Sequence, residues 1–322
     1  MHQNEVQKAR LPRTVVVVGS VNADFIIHVN DLPHRNETVS SKSSTIAIGG
    51  KGLNQAVAAA RMGMETLMIA ATGDDTFGYQ AVAHLNSRGV NTDAITKFSG
   101  VNTGMANILV ANDGGNSIVV SAGANDRLTP SIIEAYSKQI ECAGAVLLQL
   151  ETPLETVRCA LDIARRHNVL TVLNPAPYNS DCFDLLPLVD VLTPNESELQ
   201  SLTGVGTFTD RDLIYAFEKL QKLGAKRVVA TLGEKGCATL IDERLVRVPA
   251  MAVKAIDTTG AGDVFNGVLT GQLALGRDIL SAMRFAGAAS ALSVTIPTAD
   301  SSSTTEEILE FIESYKSDPV WL

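Results

Sequence analysis

The chain has 322 residues, 45% of them hydrophobic, enough to bury a substantial core as one large α/β domain or two ordinary ones. Aromatics at 5% and 25 glycines suit helices packed closely on a parallel sheet and argue against an all-β sandwich. A net charge of −9, with no run of Lys and Arg, argues against a nucleic-acid partner but leaves room for a phosphate ligand, which needs only local donors and a metal ion.

Residues 1–13 are polar, lack the apolar stretch of a signal peptide, and are expected to form a flexible tail. Thr14 to Gly19 is a continuous β-branched run, the mark of a strand buried on both faces. Residues 23–48 alternate more and carry Pro33, so they are expected to form strands of a small, partly exposed sheet. Gly49 to Gly52 then leads into a helix ending near Gly63. Strand-like runs follow at 66–72, 145–150, 169–173, 189–193 and 227–232. Helical patterns lie between most of them, as at 153–167 and 210–223, which predicts βαβ units and a mostly parallel sheet. Residues 104–112 and 116–121 read as a hairpin across Asp113-Gly114-Gly115, placed beside the 23–48 strands as a lid. Residues 262–275, 277–293 and 304–316 read as helices, and 317–322 as a C-terminal tail. With no fixed-period repeat or long linker, a single domain over 14–316 is expected.

Cys142, Cys159, Cys182 and Cys237 form no C-x-x-C pair and show no metal-ligand spacing, as expected of free thiols in a reducing cytoplasm. No apolar run approaches the ~20 residues of a membrane span.

Three segments carry chemistry. Asp257-Thr258-Thr259-Gly260-Ala261-Gly262-Asp263 opens a helix. Its glycines let a ligand approach bare backbone, and first-turn N–H groups with the helix dipole favour an anion there. Asp263 then stands where a carboxylate can face an acceptor hydroxyl; alone, it would read more simply as a helix cap. Gly49-Gly50-Lys51-Gly52-Leu53-Asn54 also opens a helix, with Lys51 and Asn54 as donors, but G-x-x-x-x-G-K-[ST] is absent. Asn22-Ala23-Asp24 follows the first buried strand, where ligand crevices of parallel sheets form; Asp24 can accept two hydrogen bonds from vicinal hydroxyls, although an isolated N-x-D is more often a turn. Further strand ends carry Glu151, then Asn195 with Glu198, then Thr231, Gly233 and Gly236. Asn195 and Glu198 also resemble a capping pair.

The glycine–lysine segment and DTTGAGD resemble the two signatures of the ribokinase family of carbohydrate kinases, over about residues 14–315. NAD at 22–24, GGKGLNQAVAAARMG at 49–63, QLETPLE at 149–155, NPAP at 174–177 and TPNESE at 193–198 are similar as well. The resemblance implies a three-layer α/β fold with a small β lid, and homodimers joined through the lids. It implies that Asn22, Asp24, Gly50, Lys51, Asn54 and Glu151 hold a sugar, that Asp263 is the base, and that Gly260, Ala261 and Gly262 form the anion hole. It places Asn195 and Glu198 with magnesium and phosphate, and Thr231, Gly233 and Gly236 along ATP. Asp257 and Thr259 match the start of a monovalent-cation loop, normally holding potassium.

Two segments depart from that pattern. Gly287 stands where the family usually has a His near adenine. Pro297-Thr298-Ala299-Asp300-Ser301-Ser302 replaces the usual K-G-A-Q-P-S and alters the second half of the cation loop. The sugar-holding residues match, which favours phosphorylation of the primary hydroxyl of a pentose such as D-ribose. The rivals are a kinase of the same family for 2-deoxyribose, a ketohexose or a nucleoside, and a non-catalytic sugar-binding or regulatory protein. A nicotinamide dehydrogenase fails because VVVVGSVNAD lacks G-x-G-x-x-G.

Overall fold

The structure is a computed structural model that describes residues 13–113, 115–206, 209–296, 302–315 and 320–321. In chain order the elements are β1 (Thr14–Val18), β2 (Asn22–His28), β3 (Ser43–Gly49), α1 (Lys51–Arg61), β4 (Glu65–Gly73), α2 (Thr76–Ser87) and β5 (Val90–Phe98). Next come β6 (Gly104–Val110), β7 (Asn116–Ser121), α3 (Pro130–Ala135), α4 (Ser137–Glu141), β8 (Ala145–Leu148), α5 (Leu154–Arg166), β9 (Leu170–Leu173) and β10 (Val191–Leu192). The remainder are α6 (Glu196–Thr203), α7 (Asp210–Lys222), β11 (Arg227–Thr231), β12 (Cys237–Ile241), β13 (Arg244–Val248), α8 (Ala261–Ala274), α9 (Ile279–Ser293), α10 (Thr305–Ser314) and β14 (Val320–Trp321).

The large sheet runs β14-β13-β12-β11-β10-β9-β8-β1-β4-β5. From β11 through β5 every pairing is parallel. Its central strands β1, β8 and β9 are short runs rich in Val and Leu because both faces are covered. Alternation along β1 shows the two covers: Val16 and Val18 pack into a core with α5, α6 and α7, while Val15 and Val17 face a second core with α1, α8 and α9. The result is a three-layer α/β fold.

A smaller sheet, β3-β2-β6-β7, leaves the large one directly after β1. The 23–48 and 104–121 segments form it together, with β2 and β6 parallel and the outer strands antiparallel. Only the turn residue Gly114 of the expected hairpin lies outside the described residues.

At the other end β12, β13 and β14 extend the sheet in antiparallel fashion. Val320 and Trp321, expected as part of a tail, pair with Arg247 and Val246. Residues 1–12, Thr298 and Asp300 lie outside the described residues.

Helices α1 and α8 cross closely at glycines. A Cβ on Gly267 would overlap the carbonyl oxygen of Gln55, and one on Gly271 would stand 2.6 Å from Met62 Sδ. This contact sets the first turns of the two helices side by side at the carboxyl edge of the parallel sheet. Helix α8 is buried nearly all round, as a central helix must be.

Candidate active site

The N-terminus of α1 begins the site. Gly50, its first cap, has φ 99 and supplies no side chain, so the first N–H groups need outside partners. Lys51 N donates to Glu151 Oε2 at 3.0 Å, and Gly52 N donates to Ser20 Oγ at 3.3 Å. The Ser20 hydroxyl itself donates to Glu151 Oε2. Glu151, expected to hold a sugar, is thus also an external cap that ties β8 to α1. Lys51 places a cation at a helix N-terminus, against the dipole. Burial disfavours its ammonium, yet the fields of Asp263, Glu151, Glu198 and Asp24 outweigh that burial and raise its pKa.

Asn22 and Asp24 sit at the start of β2, one strand from this cap. Asn22 Oδ1 accepts from Asn125 Nδ2 at 2.9 Å, and Asn125 also holds the backbone of Val21. Asp24 is pushed up to about 6, first by burial, then by Glu151 and Asp263, with Lys51 opposing. A Cβ on Gly49 would overlap Asp24 Oδ2, so the glycine leaves room for the carboxylate where it stands across the β2–β3 ladder.

Asp263 lies in the first turn of α8 and is buried. Its Oδ2 accepts from Asn54 Nδ2 at 3.1 Å and its Oδ1 from Gln55 Nε2 at 3.0 Å. Gly260 starts the helix in the left-handed region (φ 76) without a side-chain cap. A Cβ on Gly262 would meet nothing within 4 Å. The first turn of α8 therefore presents bare backbone to open space beside a carboxylate, an arrangement that receives an anion.

The remaining predicted residues fall into two groups. Asn195 caps α6 in a full capping box with Glu198, and it bridges to Thr231 at the end of β11. Burial raises Glu198, opposed by its bond from Asn195 N and by Lys51. Gly233 and Gly236, with φ 56 and 87, make the turn after β11, where a Cβ on Gly236 would overlap Val248 O. Asp257 and Thr259 form a separate turn in which Thr259 N donates to Asp257 Oδ1 at 2.9 Å, fastened to the end of α9 by Asp257 N and Val294 O. Among the described residues no three His, Cys, Asp or Glu side chains converge as metal ligands.

Sequence reasoning missed Ser20, Asn125 and the buried amides Gln55, Gln149 and Asn174. A Gln inside the apolar run of VLLQL, and one inside the apolar helix after Asn54, were the available signals.

Fold and site together give a three-layer α/β chain with a buried carboxylate, Asp263, in the first turn of a glycine-led helix beside the N-terminus of α1. Residues 12–306 match the model of the pfkB family carbohydrate kinases. The ribokinase of Haemophilus influenzae is 40% identical over 94% of this chain and 99% of its own. The deoxyribokinase of Salmonella typhimurium is 36% identical over 87% of this chain and 92% of its own. The structure of Arabidopsis thaliana ribokinase complexed with ribose and ATP superposes with a TM-score of 0.88 at 32% identity, covering 94% of this chain and 99% of that one. The chain belongs to the pfkB family of carbohydrate kinases.

Proposed function

We propose that this chain transfers the γ-phosphoryl group of ATP to the primary hydroxyl of D-ribose, giving D-ribose 5-phosphate. The observation that carries the reading is Asp263, whose carboxylate stands beside the bare first turn of α8 while facing Asn54 and the field of Lys51. The sugar lies against Asn22, Asp24, Gly50, Lys51, Asn54 and Glu151, and ATP runs past Thr231, Gly233 and Gly236 toward Gly260, Ala261 and Gly262. Asp263 accepts the hydroxyl proton. Phosphoryl transfer through a loose transition state asks mainly for positioning and charge stabilisation, which a positioned carboxylate and an anion hole supply.

Magnesium binds nucleotide phosphates with few protein carboxylates. The paired side chains of Asn195 and Glu198, a single carboxylate beside an amide, fit that mode. Asp257 and Thr259 are assigned to a potassium loop on the strength of the family resemblance. No described helix is long and apolar enough to cross a membrane; a cytoplasmic location is part of the proposal, in keeping with four cysteines that form no disulfide. Two chains are proposed to join through β7.

The likeness to a deoxyribokinase favours 2-deoxyribose as the second reading. ADP release with ribose, 2-deoxyribose, hexoses and nucleosides, with and without potassium, separates them. Turnover strongest with ribose is expected; turnover with 2-deoxyribose alone would replace the substrate and keep the mechanism. Asp263→Ala is expected to lower kcat by about 10²- to 10⁴-fold while sugar binding persists.

A further inference from the structure

Behind Asp263 lies a chain of buried side-chain amides whose polar atoms are committed in one direction. Asn174 Nδ2 donates to the carbonyl oxygen of Thr193 at 3.1 Å, an atom that can only accept, so Asn174 Oδ1 must face the other way. There it accepts from Gln55 Nε2 at 3.1 Å. The same Nε2 donates to Asp263 Oδ1 at 3.0 Å, which uses both of its hydrogens. Gln55 Oε1 accepts from Gln149 Nε2 at 2.7 Å. Turning the Gln55 amide over would set its oxygen against a carboxylate oxygen and an amide oxygen, and its NH2 against that of Gln149. Three bonds would become three repulsions.

Gln149 explains itself only within this chain. It is fully buried in an apolar strand end, and its Oε1 has no protein hydrogen-bond partner among the described residues. A buried unpaired acceptor costs free energy that a Leu or Met would avoid. Only the missing side chain of Gly19 leaves space for that oxygen. What a Gln supplies, and an apolar residue does not, is the Nε2 donor that orients Gln55.

We propose that Gln55 is a positioning residue that fixes Oδ1 of Asp263 as an acceptor and thereby assigns the reacting proton to Oδ2. The proposal rests on the reading of Asp263 as the base. Oδ2 is the oxygen bonded to Asn54 Nδ2, a half-buried side chain on the sugar side of α1. In the step, the substrate O–H bond breaks and its proton passes to Asp263 Oδ2. The substrate oxygen bonds the γ-phosphorus of ATP, and the bond from that phosphorus to the bridging oxygen breaks, its electron pair leaving with ADP. A carboxylate held through Oδ1 keeps its Oδ2 lone pair aimed throughout.

Gln55→Met keeps length and burial but deletes the donor. It is expected to lower kcat about 10- to 100-fold, with KM for sugar and for ATP within about three-fold of wild type. Gln149→Met removes the orienting donor together with the unpaired oxygen. It is expected to fold with an unchanged or higher Tm and to lower kcat about three- to ten-fold. The double variant should be no slower than Gln55→Met alone, because the two act through one atom. Unchanged kcat in both single variants, losses that multiply in the double, or KM rising in step with the fall in kcat would overturn the proposal. Should Gln55→Met fail to fold, Gln149→Met alone decides by its kcat. Wild-type turnover in Asp263→Ala would instead remove the base reading beneath it, whereas an inactive Asp263→Ala beside a fully active Gln55→Met sinks only the positioning role.

Discussion

Asp24 combines burial with two neighbouring carboxylates, and its pKa of about 6 stands above the 3.8 of an unfolded chain. Between those values the folded protein holds a proton that the unfolded chain releases. Stability therefore falls as pH rises through this window, and above about pH 6 the ionised side chain costs on the order of 3 kcal/mol. Asp24→Asn is expected to raise Tm by about 3–5 °C at pH 8 and scarcely at all at pH 4. It should also weaken sugar binding about 10- to 100-fold, because a charge-assisted acceptor is lost. Calorimetry at the two pH values checks the first claim; an equal shift at both would contradict it. At this scale the sequence singled out Asp24, Lys51, Asn54 and Asp263, which the fold brings together, because each stands next to a glycine break or a strand end. Gln55 and Gln149 stayed hidden because a single amide within an apolar run carries no mark of what it bonds to.

Two helix starts share a glycine-rich opening yet use it differently. At Gly52 an added Cβ would stand 2.5 Å from Ser20 N and 2.6 Å from the carbonyl carbon of Gly19, so the glycine is there for backbone contact. At Gly262 the added Cβ meets nothing, so the glycine keeps open the mouth of α8. Gly52→Ala is expected to push α1 from β1, break the bonds to Ser20 and Glu151, and lower both Tm and sugar affinity. Gly262→Ala gains helix propensity of up to ~1 kcal/mol and should match or exceed wild-type Tm. On the proposed reading the transferred phosphoryl group comes to this open space, so the added methyl should lower kcat about 10-fold or more. Thermal melts with steady-state kinetics on the two variants check the contrast; reversal of their order would refute it. Amphipathic helices were legible almost to the residue, as with 153–167 for Leu154–Arg166 and 210–223 for Asp210–Lys222. The β12–β13 hairpin was not. Its turn holds Asp242 and Glu243 at φ 48 and 62, a conformation usually announced by Asn-Gly or Asp-Gly.

Alternation of strands and helices made the parallel part of the large sheet readable, since each crossover must cover one face before the next strand begins. The antiparallel extension through β14 escaped, because a short strand at the end of a chain looks like a tail until its partner is in place. The small sheet ends on a strand of a different kind. Ile118, Val119 and Val120 of β7 are 53%, 59% and 54% exposed, so apolar side chains stand out on both faces. Among the described residues the strand pairs with β6 along one side only, which leaves its outer N–H and C=O groups available. An apolar edge of this kind invites another strand, and soluble chains commonly protect it by covering. A second copy related by a two-fold axis would cover it with the same surface and pair the two edges. Ile118→Lys with Val120→Lys places charge on one face of that edge while leaving the pairing with β6 intact. By light scattering after size exclusion, the wild type is expected at twice the chain mass and the double variant at the chain mass. A wild type at single-chain mass would remove the lid-to-lid dimer, and a variant that stays at twice the mass would place the contact on another surface. Because β2 of the same sheet carries Asn22 and Asp24, loss of the dimer is expected to raise KM for the sugar more than it lowers kcat.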